Sequence, residues 1–125
     1  MGLISGLLGH AGEISIEKLT EEFQPVLVEG EHLQKAFKVI RDIWVFTNKR
    51  LILVDKQGVT GKKVDYQSIP YKSITRFSKE STGFLDLDAE LKIWLTGSND
   101  PIVKEFSKKT NINDVYLLLS QHILD

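Results

Sequence analysis

The sequence predicts a mainly β domain: about seven antiparallel strands closed by a C-terminal α-helix, with a short N-terminal helix in front. Three observations carry that expectation. Between Leu85 and Thr96 every odd position is apolar (Leu85, Leu87, Ala89, Leu91, Ile93, Leu95), while the even positions run Asp86, Asp88, Glu90, Lys92, Trp94 and Thr96. Period two held over that length marks a strand with one buried face. Ile43–Thr47 and Leu51–Val54 are short, rich in β-branched and aromatic residues, and joined through Asn48, Lys49 and Arg50. After Asn111 the period becomes helical, with Ile112, Val115, Tyr116, Leu119 and Ile123 forming one apolar stripe.

The remaining elements follow in chain order. Ser15 stands where an N-cap belongs, Glu17 falls in the first turn, and Ile16, Leu19 and Phe23 repeat at helical spacing. Pro25 ends that helix, because the residue before proline is driven out of the α region. Glu29, Gly30 and Glu31 read as a turn. His32–Ile40 reads as the first strand, although its apolar residues (Leu33, Phe37, Val39) do not alternate cleanly with Lys35 and Lys38. Arg41 and Asp42 form a tight break before the pair of strands described above. Residues 55–61, with Gly58 and Gly61, form a loop; Lys63–Ile69 alternates through Val64 and Tyr66 until Pro70. Ser73–Lys79 places Ile74 and Phe77 in a polar strand, and the turn at residues 97–101 leads to a last strand, Ile102–Phe106. Asn111 or Asn113 caps the final helix. The expected division is an N-terminal helical extension over residues 1–30 and one domain over 31–125.

Composition narrows the function classes. A chain of 125 residues with 42% apolar and 26% charged side chains builds one core and is too apolar to be intrinsically disordered. The absence of cysteine removes disulfides, thiolate metal sites and cysteine nucleophiles together. No segment reaches the 18 or more apolar residues of a spanning helix, and residues 1–10 lack the positive flank and cleavage site of a secretory signal, so the cytoplasm is the expected compartment. Net charge is −1, without the positive excess of a nucleic-acid binder. That charge is unevenly distributed: −5 over residues 1–34, +8 over 35–79 and −4 over 80–125. Opposed blocks favour head-to-tail packing of like molecules, while solvated strand faces explain them equally well.

Ile43–Thr47 is apolar on both faces, whereas a strand with one face in water alternates. Something must cover its outer side: the N-terminal helix, another subunit, or both. Ile43, Trp44, Val45 and Phe46 are therefore expected to lie in an oligomer interface or under such a cover.

The runs from Phe46 to Lys63 (FTNKRLILVDKQGVTGKK), Ile69 to Ile74 (IPYKSI) and Asp86 to Trp94 (DLDAELKIW) resemble, in that order and spacing, the bacterial pleckstrin-homology (PH-like) domain family, single-domain members included. The resemblance spans the chain from about Ile16 to the final helix. It implies a PH-like seven-stranded antiparallel half-barrel of two nearly orthogonal sheets capped by the C-terminal helix. It also implies dome-shaped cyclic homo-oligomers of five-fold symmetry, a polar surface where strands of neighbouring subunits meet and where a protein partner is suspected to bind, and no enzymatic activity. A ring requires two different complementary surfaces on each subunit.

The motifs that suggest other chemistry are weak. Phosphoinositide-binding PH domains carry several Lys and Arg between their first two strands; here that connection is Arg41 and Asp42. Gly58–Lys63 has two residues between its glycines where a phosphate-binding P-loop has four. Asp86, Asp88 and Glu90 share one strand face about 6.8 Å apart, without a calcium loop, so an exposed acidic face meeting basic residues is the expectation over a metal site. His10, His32 and His122 show no ligand spacing and no nucleophile motif, so no catalytic, metal or cofactor residue is assigned. Leu3, Ile4, Leu7 and Leu8 form an apolar cluster with no Lys or Arg before Lys18 to attract lipid headgroups.

The leading expectation is a non-enzymatic PH-like interaction module, a pentameric ring presenting a polar composite surface to an unidentified protein. Lys49, Arg50, Asp86, Asp88, Glu90 and Lys92 are its candidate contact residues. No cofactor, nucleic acid or membrane partner is expected. The alternative is a peripheral membrane or anionic-ligand module using Lys62, Lys63 and the apolar N-terminus.

Overall fold

A computed structural model describes residues 14–39, 42–57, 63–80, 89–106 and 110–124, with the side chains of Lys56 and Gln57 left aside. Helix α1 (Ile16–Phe23) is followed by a 3₁₀ turn at Gln24–Val26 and by strands β1 (Leu33–Lys38), β2 (Ile43–Thr47), β3 (Arg50–Gln57) and β4 (Lys63–Pro70). A second 3₁₀ turn at Tyr71–Ser73 leads to β5 (Ile74–Glu80), β6 (Ala89–Leu95), β7 (Ile102–Phe106) and helix α2 (Ile112–Ile123). The seven strands among the described residues form two antiparallel sheets, β1-β2-β3-β4 and β5-β6-β7.

β2 explains why two layers cover the first sheet. Successive side chains of a strand point to opposite faces, and all five residues of β2 are buried. Trp44 and Phe46 face the space between the sheets, where Phe106 of β7 meets the Trp44 ring edge-on at 5.2 Å and Val115 and Leu119 of α2 close the core. Ile43 and Val45 face the other way, onto Leu19 and Phe23 of α1 and onto Ile14, whose N–H donates to the Ala36 carbonyl at 3.0 Å. Each of these fully buried side chains contributes roughly 1.5–3 kcal/mol. The cover that the doubly apolar strand demanded is thus supplied within the chain by α1.

Differences from the expected boundaries have local causes. β1 fails to alternate because its pairing with β2 shifts between Leu33 and Lys35; the bulge puts Leu33 on the α1 side while Phe37 faces the main core. β3 runs on to Gln57, since Asp55, Lys56 and Gln57 pair with Asp65, Val64 and Lys63. Val39 and Asp42 exchange backbone hydrogen bonds of 2.9 Å in both directions, which closes the β1–β2 hairpin after two intervening residues. β6 follows the period-two pattern from Ala89, with Ala89, Leu91 and Ile93 buried; residues 85–88 lie outside the described ones. Ser15 occupies the N-cap of α1, but its hydroxyl donates to the Glu17 carboxylate at 3.2 Å and caps no backbone N–H. Asn111 does cap α2, accepting from the Asn113 N–H at 3.1 Å.

Candidate functional site

Two polar regions take shape, one at a corner of the first sheet and one on the outer face of the second. At the corner, Gly30 turns the chain with a φ of +82°, a conformation that glycine adopts without strain. The turn sends the Glu31 side chain inward beside Arg50, the first residue of β3. The Glu31 carboxylate accepts from Arg50 Nε (2.8 Å), Arg50 Nη2 (2.9 Å), Thr47 Oγ1 (2.7 Å) and the Val28 N–H (3.0 Å). Burial by itself pushes this carboxyl upward; the hydrogen bonds from Arg50, Thr47 and Val28, with the Arg50 charge, outweigh it and bring the pKa down to about 2. Arg50 also donates to the Val26 carbonyl and to Ser68 Oγ.

The corner continues through Tyr71, whose hydroxyl donates to the Thr47 carbonyl at 2.7 Å. Burial, chiefly, pushes that phenol above its ordinary range. The Tyr71 ring stacks flat on His122 of α2 at 4.0 Å, and His122 Nε2 lies 2.7 Å from Gln34 Oε1. Burial holds the imidazole below its ordinary pKa. Helix α2, the 3₁₀ turn after β4, the start of β1 and the end of β2 are thereby fastened together.

On the second sheet, Glu90 and Lys92 stand two apart on the outward face of β6, both half-exposed, with a 3.8 Å ion pair between them. Trp94 continues that face, and the Arg76 guanidinium of β5 lies over its indole, 4.1 Å from the ring centroid. Thr75, Arg76, Trp94, Ser98 and Asn99 line an open cleft of about 340 Å³ beside the β6–β7 turn. A third polar group ties the two sheets: Lys104 Nζ of β7 meets Asp42 Oδ2 at 2.8 Å. A hydrogen bond shared with Asp42, then burial and the Asp42 charge, raise the Asp55 carboxyl.

The anticipated contact residues therefore divide. Glu90 and Lys92 come together on one face. Lys49 is exposed in the β2–β3 turn, while its neighbour Arg50 is half-buried and turned onto Glu31. The two pairs occupy different sheets. Asp86, Asp88, Lys62 and the apolar cluster of residues 1–10 lie outside the described residues, and Lys63 is exposed at the start of β4. Ile43, Trp44, Val45 and Phe46 are buried within the single chain. Among the described residues no group of three or more His, Asp or Glu could hold a metal ion, and no helix is long and apolar enough to cross a membrane.

The fold agrees with what comparison with known proteins finds: the bacterial PH domain family matches residues 2–123. The chain belongs to that family. Among curated relatives, the uncharacterized protein YjqA of Bacillus subtilis is 55% identical over 121 residues, 96% of this chain and 97% of the relative. YozO of the same organism, also uncharacterized, is 32% identical over 114 residues, 90% and 97% of the two chains. Among solved structures, a protein with a pleckstrin-homology domain from Shewanella loihica superposes with a TM-score of 0.82 at 50% identity, covering 90% of this chain and 97% of that one. A pleckstrin-homology domain from Shewanella amazonensis gives 0.82 at 49% identity over 89% and 100%.

Sequence reasoning passed over several residues that the PH domain brings into play. Glu31 reads as one acid among many in the N-terminal block, and its burial depends on an Arg nineteen residues later. Arg76 reads as a polar residue of an ordinary strand. The available signal was Trp94, the one large aromatic among the even, polar positions of β6.

Proposed function

We propose that this protein is a non-enzymatic interaction module that assembles through β4 into a cyclic homo-oligomer and presents a polar composite surface, containing Glu90 and Lys92, to a protein partner. What supports the reading is β4. It is the edge of its sheet, eight residues long and exposed at six of them. Among the described residues the outer side of its backbone pairs with nothing. Soluble proteins blunt such edges with charge, proline or a cover, because a free edge recruits further strands. Here Lys63 and Pro70 guard the two ends, while Tyr66, 45% exposed, stands between them with its ring against Phe23. Val26 and Val28 are also exposed, at 44% and 55%, and the Val26 carbonyl accepts from the same guanidinium that bonds Ser68 of β4. An edge on one side of the subunit that meets a different surface on the next generates a ring when the rotation closes. Five is the subunit number that the family resemblance implies.

Light scattering of the wild type against Tyr66→Lys tests this reading. The expected result is a multiple of the 14.2 kDa subunit mass for the wild type and a shift towards the single subunit for a variant that keeps its circular dichroism. Equal masses for the two folded proteins would remove β4 from the assembly.

A further inference from the structure

Trp94 and Arg76 face each other across the β5–β6 ladder only because β5 carries a bulge. The pairing runs Ile74 with Leu95 and then Arg76 with Trp94, so two steps on β5 match one on β6. Without the extra residue Thr75 would stand opposite Trp94, and Arg76 would pair with Ile93, which points into the core. Bulges re-aim side chains in this way next to functional sites. The re-aimed guanidinium rests on the indole, 4.1 Å from its centroid, at the wall of the 340 Å³ cleft.

The hydrogen-bonding groups of the cleft are unevenly engaged. Thr75 Oγ1 donates to the Trp94 carbonyl at 3.2 Å and Ser98 Oγ to the Asp100 carbonyl at 3.1 Å. The Arg76 and Asn99 side chains have no hydrogen-bond partner among the described residues, and no described carboxylate lies within 4.0 Å of Arg76. A guanidinium carries five N–H donors in a planar fork that matches a carboxylate, and stacking on an aromatic ring pre-organises it. Asn99 offers two further donors and an acceptor. Among the described residues one cation lines the cleft, with no second basic group, which suits a singly charged carboxylate better than a phosphate. The volume lies at the bottom of the ligand-pocket range and the cleft is open, so it fits one side chain of a larger partner better than it encloses a free metabolite. Trp and Arg are also the residues that most often dominate binding energy at interfaces.

We propose that the Arg76–Trp94 cleft receives an aspartate or glutamate side chain of the protein partner, with the carboxylate on Arg76 and the adjoining peptide bond on Asn99. This rests on the reading that the outward face of the second sheet, continued by Lys92 and Glu90, is the partner surface.

The sequence contains two tryptophans, so the ¹⁵N-labelled protein shows two indole N–H resonances, one from fully buried Trp44 and one from Trp94 at the cleft. The probes are the capped peptide acetyl-Gly-Glu-Gly-amide, its Gln counterpart, and inorganic phosphate. The Glu peptide is expected to move the Trp94 resonance saturably with an affinity on the order of millimolar and to leave Trp44 in place. The Gln peptide and phosphate should bind about tenfold more weakly or worse. Arg76→Gln, with Trp44 unshifted and an unchanged melting temperature, should abolish the response; Arg76→Lys should weaken it several-fold. No movement of Trp94, an equal response to the Gln peptide, or phosphate binding as tightly as the Glu peptide would overturn the proposal. The readout does not depend on subunit number: a monomer that answers the Glu peptide loses the ring and keeps the cleft, and a ring that does not answer loses the cleft alone.

Discussion

Replacing Glu31 by Gln removes the charge at the centre of the corner without changing its shape. The carboxylate accepts four hydrogen bonds, two of them from Arg50, and its side chain is 0% exposed. Its pKa falls from an ordinary 4.5 to about 2 in the folded protein. A carboxyl whose folded pKa lies below the unfolded one stabilises fully above the unfolded value and loses that contribution as pH falls through the folded value. The window here runs from about 4.5 down to about 2. The corresponding stabilisation at pH 7 is about 3 kcal/mol, shrinking to about 1 kcal/mol near pH 3. For a domain of this size, 3 kcal/mol lowers the melting temperature by about 10 °C. Urea unfolding of wild type and Glu31→Gln at pH 7 and pH 3 measures both quantities, and the difference between the proteins cancels the titration of every other carboxyl. A gap below about 1 kcal/mol at pH 7, or one that does not narrow by at least about half at pH 3, would refute the assignment.

Three further outcomes follow from the packing. Tyr71→Phe keeps the stack on His122 but leaves the Thr47 carbonyl without its 2.7 Å donor, and should cost roughly 1–2 kcal/mol in urea unfolding. Leu19→Ala opens a cavity between α1 and the outer side of β2; a loss of 2–5 kcal/mol is expected, together with faster amide exchange at Ile43 and Val45. Asn111→Ala removes the cap of α2 and should lower stability by about 1 kcal/mol, read as a lower melting temperature.

The strands and the closing helix were legible because their signals are periodic and local. Leu91 and Ile93 alternate with Lys92 and Trp94, and the stripe from Ile112 to Ile123 needs only neighbouring turns to be recognised. β2 also announced that both its faces were covered. Which element covered it depended on long-range packing, and α1 proved to be that element. The bulges in β1 and β5 were not legible, since a register shift is a relation between two strands and each strand alone shows only a broken alternation. For the same reason Arg76 gave no sign of its place on Trp94. Glu31 was obscured differently: acids near a glycine turn are ordinarily solvated, and only the fold brings Thr47 and Arg50 onto this one. Of the anticipated contact residues, Glu90 and Lys92 lie side by side on β6, while the Arg50 guanidinium is turned onto Glu31.

Whether the subunits close into a ring is decided by the absolute mass in solution, measured by light scattering across a range of concentrations at two salt levels. A ring gives a closed species near five times 14.2 kDa, weakened by salt to the extent that the charge blocks hold it. A single-subunit mass at every concentration and salt level would contradict it, and with it any surface built jointly by neighbouring subunits.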